Sequence, residues 1–84
     1  MLFVVTIRVM RKAGIFDPEA LQVQKTLATI GFPTVSSIVM GKIIEIWLDA
    51  ATEEEARVLC DKMGRDLLAN PNIEKHEIVS ALPG

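Results

Sequence analysis

One histidine, His76, and one cysteine, Cys60, are the whole supply of nucleophile–base and soft-metal side chains in this sequence. Covalent catalysis needs a nucleophile, a base beside it and a third group to orient the base, and a chain with one His and one Cys has few ways to assemble that. No P-loop, G-x-G-x-x-G, G-x-S-x-G or H-E-x-x-H motif is present. A lone cysteine also excludes an intramolecular disulfide and a multi-cysteine metal site. His76 stands between Lys75 and Glu77 and reads as an ordinary exposed or half-exposed histidine. Cys60 falls on an apolar stripe and reads as a packed thiol. The run Glu53-Glu54-Glu55 reads as a helix start with a solvated face. Arg8, Arg11, Lys12 and Lys42 have two readings: solvation of a strand exit, or docking of an acidic partner or anion. No catalytic, cofactor-binding or metal-binding residue is expected.

Composition narrows the remaining classes. Eighty-four residues make one expected domain, residues 1–84. A chain of this size buries roughly 60–65% of its unfolded surface, yet half of its residues are apolar. That surplus points to association. A net charge of −2 and only four aromatics (Phe3, Phe16, Phe32, Trp47) argue against a nucleic-acid surface, which needs a basic stripe or stacking platforms. The run Leu2 to Ile7 is too short to span a bilayer and lacks the leading charges and cleavage site of a secretory signal. A cytoplasmic protein is the expectation.

The elements that position these residues follow from periodicity. Leu2 to Met10 is rich in β-branched residues and reads as a strand, with Phe3, Val5, Ile7 and Val9 on one face. Asp17-Pro18 supplies an N-cap and a first helical residue. Ala20, Val23, Leu27 and Ile30 then form a helical stripe, closed by Gly31 and Pro33. Val35 to Met40 reads as a second strand and Ile43 to Asp49 as a third, joined by a hairpin at Gly41-Lys42. Thr52 and Glu55 match a capping box. The helix after it has Ala56, Leu59, Cys60, Met63 and Leu67 as its expected buried face. Its pairs Glu53/Arg57 and Asp61/Arg65 are correctly spaced for ion pairing. Pro71 ends that helix near Ala69. Ile73 to Val79 reads as an edge strand and Ser80 to Gly84 as a loose tail.

The order β-α-β-β-α-β predicts an α+β, ferredoxin-like sandwich, with two helices on one face of a four-stranded antiparallel sheet in spatial order 4-1-3-2. This topology gathers three connections at one end: Lys12 to Pro18, Gly41-Lys42 and Asn70-Pro71. Lys12, Asp17, Pro18, Gly41, Lys42, Asn70 and Pro71 are therefore candidate partner-docking residues. Trp47 lies on the strand face away from Ile44, Ile46 and Leu48. With Val4 and Ile43 it forms a candidate oligomer interface on the open sheet face.

Taken together, Lys12-Ala13-Gly14-Ile15-Phe16-Asp17-Pro18, Leu27 to Phe32, Gly41-Lys42 with Ile44-Glu45-Ile46, and Leu67 to Glu74 resemble the PurS family. PurS is the small subunit of phosphoribosylformylglycinamidine synthase. The resemblance runs from Val5 to about Ile78 in the same order and spacing, with Ala20 standing where the family usually carries Gly. It implies a non-catalytic, dimeric bridge within a glutamine- and ATP-dependent carbon–nitrogen ligase of purine biosynthesis. A glutaminase subunit would release ammonia, and a large synthetase subunit, which uses ATP and Mg, would deliver it to formylglycinamide ribonucleotide.

Two other classes compete with that reading. A small-molecule-sensing module shares the topology, but this sequence has no attached domain to regulate and no Gly-rich ligand loop. A small dimeric α+β enzyme using His76, or an acid in a barrel interior, lacks a second His or a clear acid–base pair.

Overall fold

The strands and helices run β1 (Leu2–Arg11), α1 (Pro18–Thr29), β2 (Gly41–Asp49), α2 (Glu53–Met63), a π-helical turn (Gly64–Leu68) and β3 (Glu74–Pro83). The computed structural model describes all 84 residues, Met1–Gly84. β1 is the middle strand and pairs antiparallel with β2 on one side and β3 on the other. Its alternation decides the layering: Phe3, Val5, Ile7 and Val9 are buried beneath α2, while Val4, Thr6, Arg8 and Met10 face outward. Ala50, Ala56, Cys60, Ala69 and Ala81 complete the core, with Ile44, Ile46, Leu48, Leu68 and Ile78 packed at its margin.

The sheet has three strands where four are expected. Residues 35–40 carry no strand, although their composition favours one. Gly41 is not a hairpin turn; it begins β2, opposite Met10 of β1. Without a hairpin, the preceding segment has no neighbour to supply a ladder, and β-propensity has no effect without pairing. Its first carbonyls are held elsewhere: Gln24 Nε2 in α1 donates to Val35 O at 3.3 Å and to Ser36 O at 3.1 Å.

The expected loose tail is ordered. Ala81, Leu82 and Pro83 pair with Val5, Val4 and Phe3, and the Gly84 amide donates to Leu2 O at 2.9 Å. The register shifts between Thr6 (opposite Ser80) and Ile7 (opposite Ile78), a bulge that leaves Val79 unpaired. At the same end the Met1 ammonium lies 2.6 Å from Asp49 Oδ1 and holds that carboxyl below the ordinary carboxylate range.

The helix ends follow the sequence closely. Asp17 Oδ1 accepts from the Glu19 and Ala20 amides at 3.1 and 3.3 Å, and Thr52 Oγ1 accepts from Glu55 N at 3.1 Å. Gly31 adopts φ +116°, and the Phe32 amide reaches back to Leu27 O at 2.8 Å. That is the 6→1 bond of a Schellman stop. Arg57 pairs with Glu53 at 3.2 Å, and Arg65 approaches Asp61 at 3.9 Å.

The two helices have different fates. α2 lies over β3 and β1, whereas α1 packs on no strand and not on α2. The radius of gyration is 16.3 Å and the extents are 51 × 26 × 14 Å; a compact chain of this length has a radius near 12 Å. Its accessible surface of 5836 Å² likewise exceeds the roughly 5,000 Å² expected of a monomer of this mass. Leu21, Val23, Ile30 and Phe32 on and after α1 are exposed in consequence.

Candidate assembly interface

Three connections meet at one end of the sheet, held by side chains that cap or bridge them. The Lys12 amide donates to Ile73 O at 2.8 Å and its Nζ to Pro71 O at 2.6 Å, tying the β1 exit to the Asn70-Pro71 loop. That loop is braced internally. Glu74 Oε1 accepts from Asn70 N at 2.8 Å, and Asn70 Oδ1 accepts from Asn72 N at 3.1 Å, an Asx turn. Arg11 Nε stands 3.2 Å from Asp17 Oδ2, so the carboxylate that caps α1 also anchors its start to β1. Pro18 is the exposed first residue of α1. Gly41 and Lys42 lie opposite Met10 and Val9 and line a shallow cleft with Arg11, Asp17, Glu19 and Glu74.

Of the basic residues considered together, Arg8 does not join this end; it pairs with Glu77 across β1 and β3. Arg11 and Lys12 do, each with a structural partner, and Lys42 is exposed with no ion pair.

The outer sheet face is bare. Val4 lies between Trp47 on β2 and Leu82 on β3 in register; Trp47 is 60% exposed, and Ile43 and Leu82 are exposed as well. The Gly84 backbone lies against the Trp47 ring. Leu82 was assigned to a tail by sequence; alternation from the inward-facing Ile78 would have put it on the core face, and the bulge at Val79 moves it to this row.

His76 and Cys60 are structural rather than exposed to reactants. The His76 side chain is 17% exposed, less than expected, and its Nε2 is 2.9 Å from Asp61 Oδ1. It is covered because Gly64 offers no side chain: a Cβ there would sit 2.5 Å from the imidazole ring. Cys60 is fully buried, and burial pushes its thiol pKa up. A raised folded-state value favours the neutral thiol, so this contribution to stability is full below the unfolded pKa and is lost as pH rises through the folded one. Thiol-reagent labelling of the folded chain at pH 8 is expected to run roughly a hundredfold or more slower than in denaturant; equal rates would show that Cys60 is accessible. No group of three or more His, Cys, Asp or Glu side chains is placed to hold a metal ion.

An open sheet face, a helix off the sheet and a surplus of surface define an α+β chain with much apolar surface left uncovered. The comparisons with known proteins say which kind. Residues 4–81 match the family model described as PurS, phosphoribosylformylglycinamidine (FGAM) synthase. The PurS subunit of this synthase from Methanocaldococcus jannaschii is 31% identical over 77 residues, 92% of this chain and 93% of that one. The structure of Thermus thermophilus PurS superposes with a TM-score of 0.84 at 32% identity, covering 96% and 95% of the two chains. A chain in the structure of PurLQS from Thermotoga maritima gives 0.83 at 27% identity, covering 93% and 95%. The chain belongs to the PurS family.

Proposed function

We propose that this chain is the small subunit of a cytoplasmic phosphoribosylformylglycinamidine synthase, working as one unit over residues 1–84. It bridges the glutaminase and synthetase subunits so that ammonia from glutamine reaches formylglycinamide ribonucleotide, and it contributes no catalytic residue. The observation that supports assembly with other chains is α1, an amphipathic helix whose stop and cap are well formed but which makes no extended contact with the sheet or α2 of its own chain. No helix of the chain is long and apolar enough to cross a membrane.

The same observation supports a homodimer. The bare edge of β2 needs a strand, and its inner-face residues Ile44, Ile46 and Leu48 are only partly covered. A second copy supplies both: its segment 35–40 as the fourth strand and its α1 as the second helix, giving the four-stranded ferredoxin-like sandwich twice over. The surplus surface is close to the roughly 800 Å² that each partner of a standard interface buries. Val4, Ile43 and Trp47 on the outer face are assigned to a further contact between copies. The loop-end residues Lys12, Asp17, Pro18, Gly41, Lys42, Asn70 and Pro71 are assigned to docking of the enzymatic subunits.

Two size measurements test this reading. The isolated chain is expected to sediment at twice its 9.3 kDa mass or higher, and a clean monomer at high concentration would contradict the dimer. Mixed with the matching glutaminase and synthetase, it is expected to bring both into one complex that does not form in its absence.

A further inference from the structure

Residues 12–40 leave the sheet and return to it at one place. Met10, near the end of β1, is paired in register with Gly41, the start of β2. Arg11, Asp17 and Glu19 on the outgoing side and Met40, Gly41 and Lys42 on the returning side line one cleft with Glu74. The arm between these roots is a unit of its own. Gln24 Nε2 holds Val35 O and Ser36 O against α1, and the bond from Phe32 N to Leu27 O closes the helix. The longest extent of the molecule, 51 Å, is close to β1 and α1 laid end to end, about 33 and 18 Å.

The connection lengths do not keep this arm off its own sheet. Six residues, 12–17, join β1 to α1, enough for a helix to return over its own strand. The obstacle is at the other root. A hairpin between segment 35–40 and β2 needs a turn, most often two residues with φ > 0 at both. Gly41-Lys42 is placed for that turn, but both residues lie in the ladder opposite Met10 and Val9. Gly41 approaches β1 so closely that a Cβ there would overlap Val9 O and Met10 Sδ. What this glycine contributes is a missing side chain, since the positive-φ glycines are Gly14 and Gly31. The next pair back, Val39-Met40, begins with a β-branched residue, for which φ > 0 is a genuine outlier.

We infer that Gly41 is the pivot that commits this chain to exchange: seated without a side chain against β1, it draws the turn residues of the hairpin into the ladder, so the arm is delivered to a second copy and not to its own sheet. Exchanged and unexchanged forms make the same contacts, and the hinge decides between them. The outgoing root is fixed as well. The Asp17 carboxylate caps α1 with one oxygen and meets Arg11 with the other, and the Lys12 amide is bonded to Ile73 O. This rests on the dimer reading above and names the residue that enforces it.

The test begins with the unmodified chain, which is expected to sediment as a dimer. Ser37→Cys chains refolded together with Glu45→Cys chains should be joined into covalent pairs by a bifunctional thiol reagent, Cys60 being fully buried. The double substitution Gly41→Asn with Lys42→Gly supplies the preferred turn pair and puts a Cβ against Val9 O. It is expected to weaken dimerisation roughly a hundredfold, about tenfold for each pivot of the dimer. The cross-link should then form inside chains that carry both cysteines. Inserting Asn-Gly between Met40 and Gly41 supplies a turn with the ladder intact and is expected to give the same monomer; it decides the matter if the substituted chain does not fold. Dimerisation as tight as that of the unmodified chain, with links still forming between chains, would overturn the pivot. A monomeric unmodified chain, or cysteine forms that never link between chains, would instead overturn the exchanged dimer beneath it.

Discussion

Ile7→Ala is expected to lower stability by about 2–5 kcal/mol, the range for truncating a large aliphatic side chain in a core. Ile7 is fully buried at the middle of the middle strand, opposite Ile44 on β2 and Ile78 on β3. Its removal therefore leaves a void where both strand pairings meet. The fold is poorly placed to absorb it: only 11 residues are buried, so few side chains can move into the gap. A domain of 84 residues has roughly 4–13 kcal/mol of stability in all. The variant should show a large fall in urea midpoint with little change in slope. Ile43→Ala is the control. Ile43 is exposed on the outer face, so its loss costs little in a dilute, dissociated sample and more where that face is covered by another copy. A small midpoint change for Ile7→Ala would mean that the sheet's inner face is not the core described here.

Gly41→Ala is expected to cost about 1–3 kcal/mol through overpacking. A methyl group at Gly41 would overlap the Val9 carbonyl oxygen and Met10 Sδ. The sulfur sits on a flexible side chain and can yield. The backbone oxygen belongs to the central strand and cannot move without disturbing the ladder. The relief available is fraying at the start of β2, so hydrogen exchange of amides near Gly41 and Lys42 should accelerate more than that at Glu45 to Leu48. Uniform acceleration would instead indicate a general loss of stability. Gly14 makes the comparison: its φ of +81° strains any substitution, but nothing lies within 4 Å of its added Cβ. Gly14→Ala is thus penalised by backbone conformation alone.

Local signals carried most of what was readable in the sequence. Asp17-Pro18, Thr52 with Glu55, and Gly31 each set a helix end, because capping depends on residues three or four apart. The inward face of β1 followed from strict alternation. The gathering of Lys12, Gly41 and Asn70-Pro71 at one end followed from topology, since antiparallel neighbours must return to the same side. What failed were inferences needing a neighbour the sequence does not specify. Val35 to Met40 has strand composition but pairs with no strand of its own chain. Val23 and Ile30 of the α1 stripe are exposed because α1 lies off the sheet and α2. Leu67 was misplaced for a different reason. Helical periodicity assumes a constant turn, and the π-helical turn at Gly64–Leu68 breaks it, leaving Leu67 83% exposed.

Glutamine-dependent synthesis reconstituted from purified subunits tests the central claim most directly. With the matching glutaminase and synthetase, formation of formylglycinamidine ribonucleotide from glutamine is expected to require this chain, whereas synthesis from free ammonia by the synthetase should depend on it far less. Equal glutamine-dependent rates with and without the chain would contradict the account.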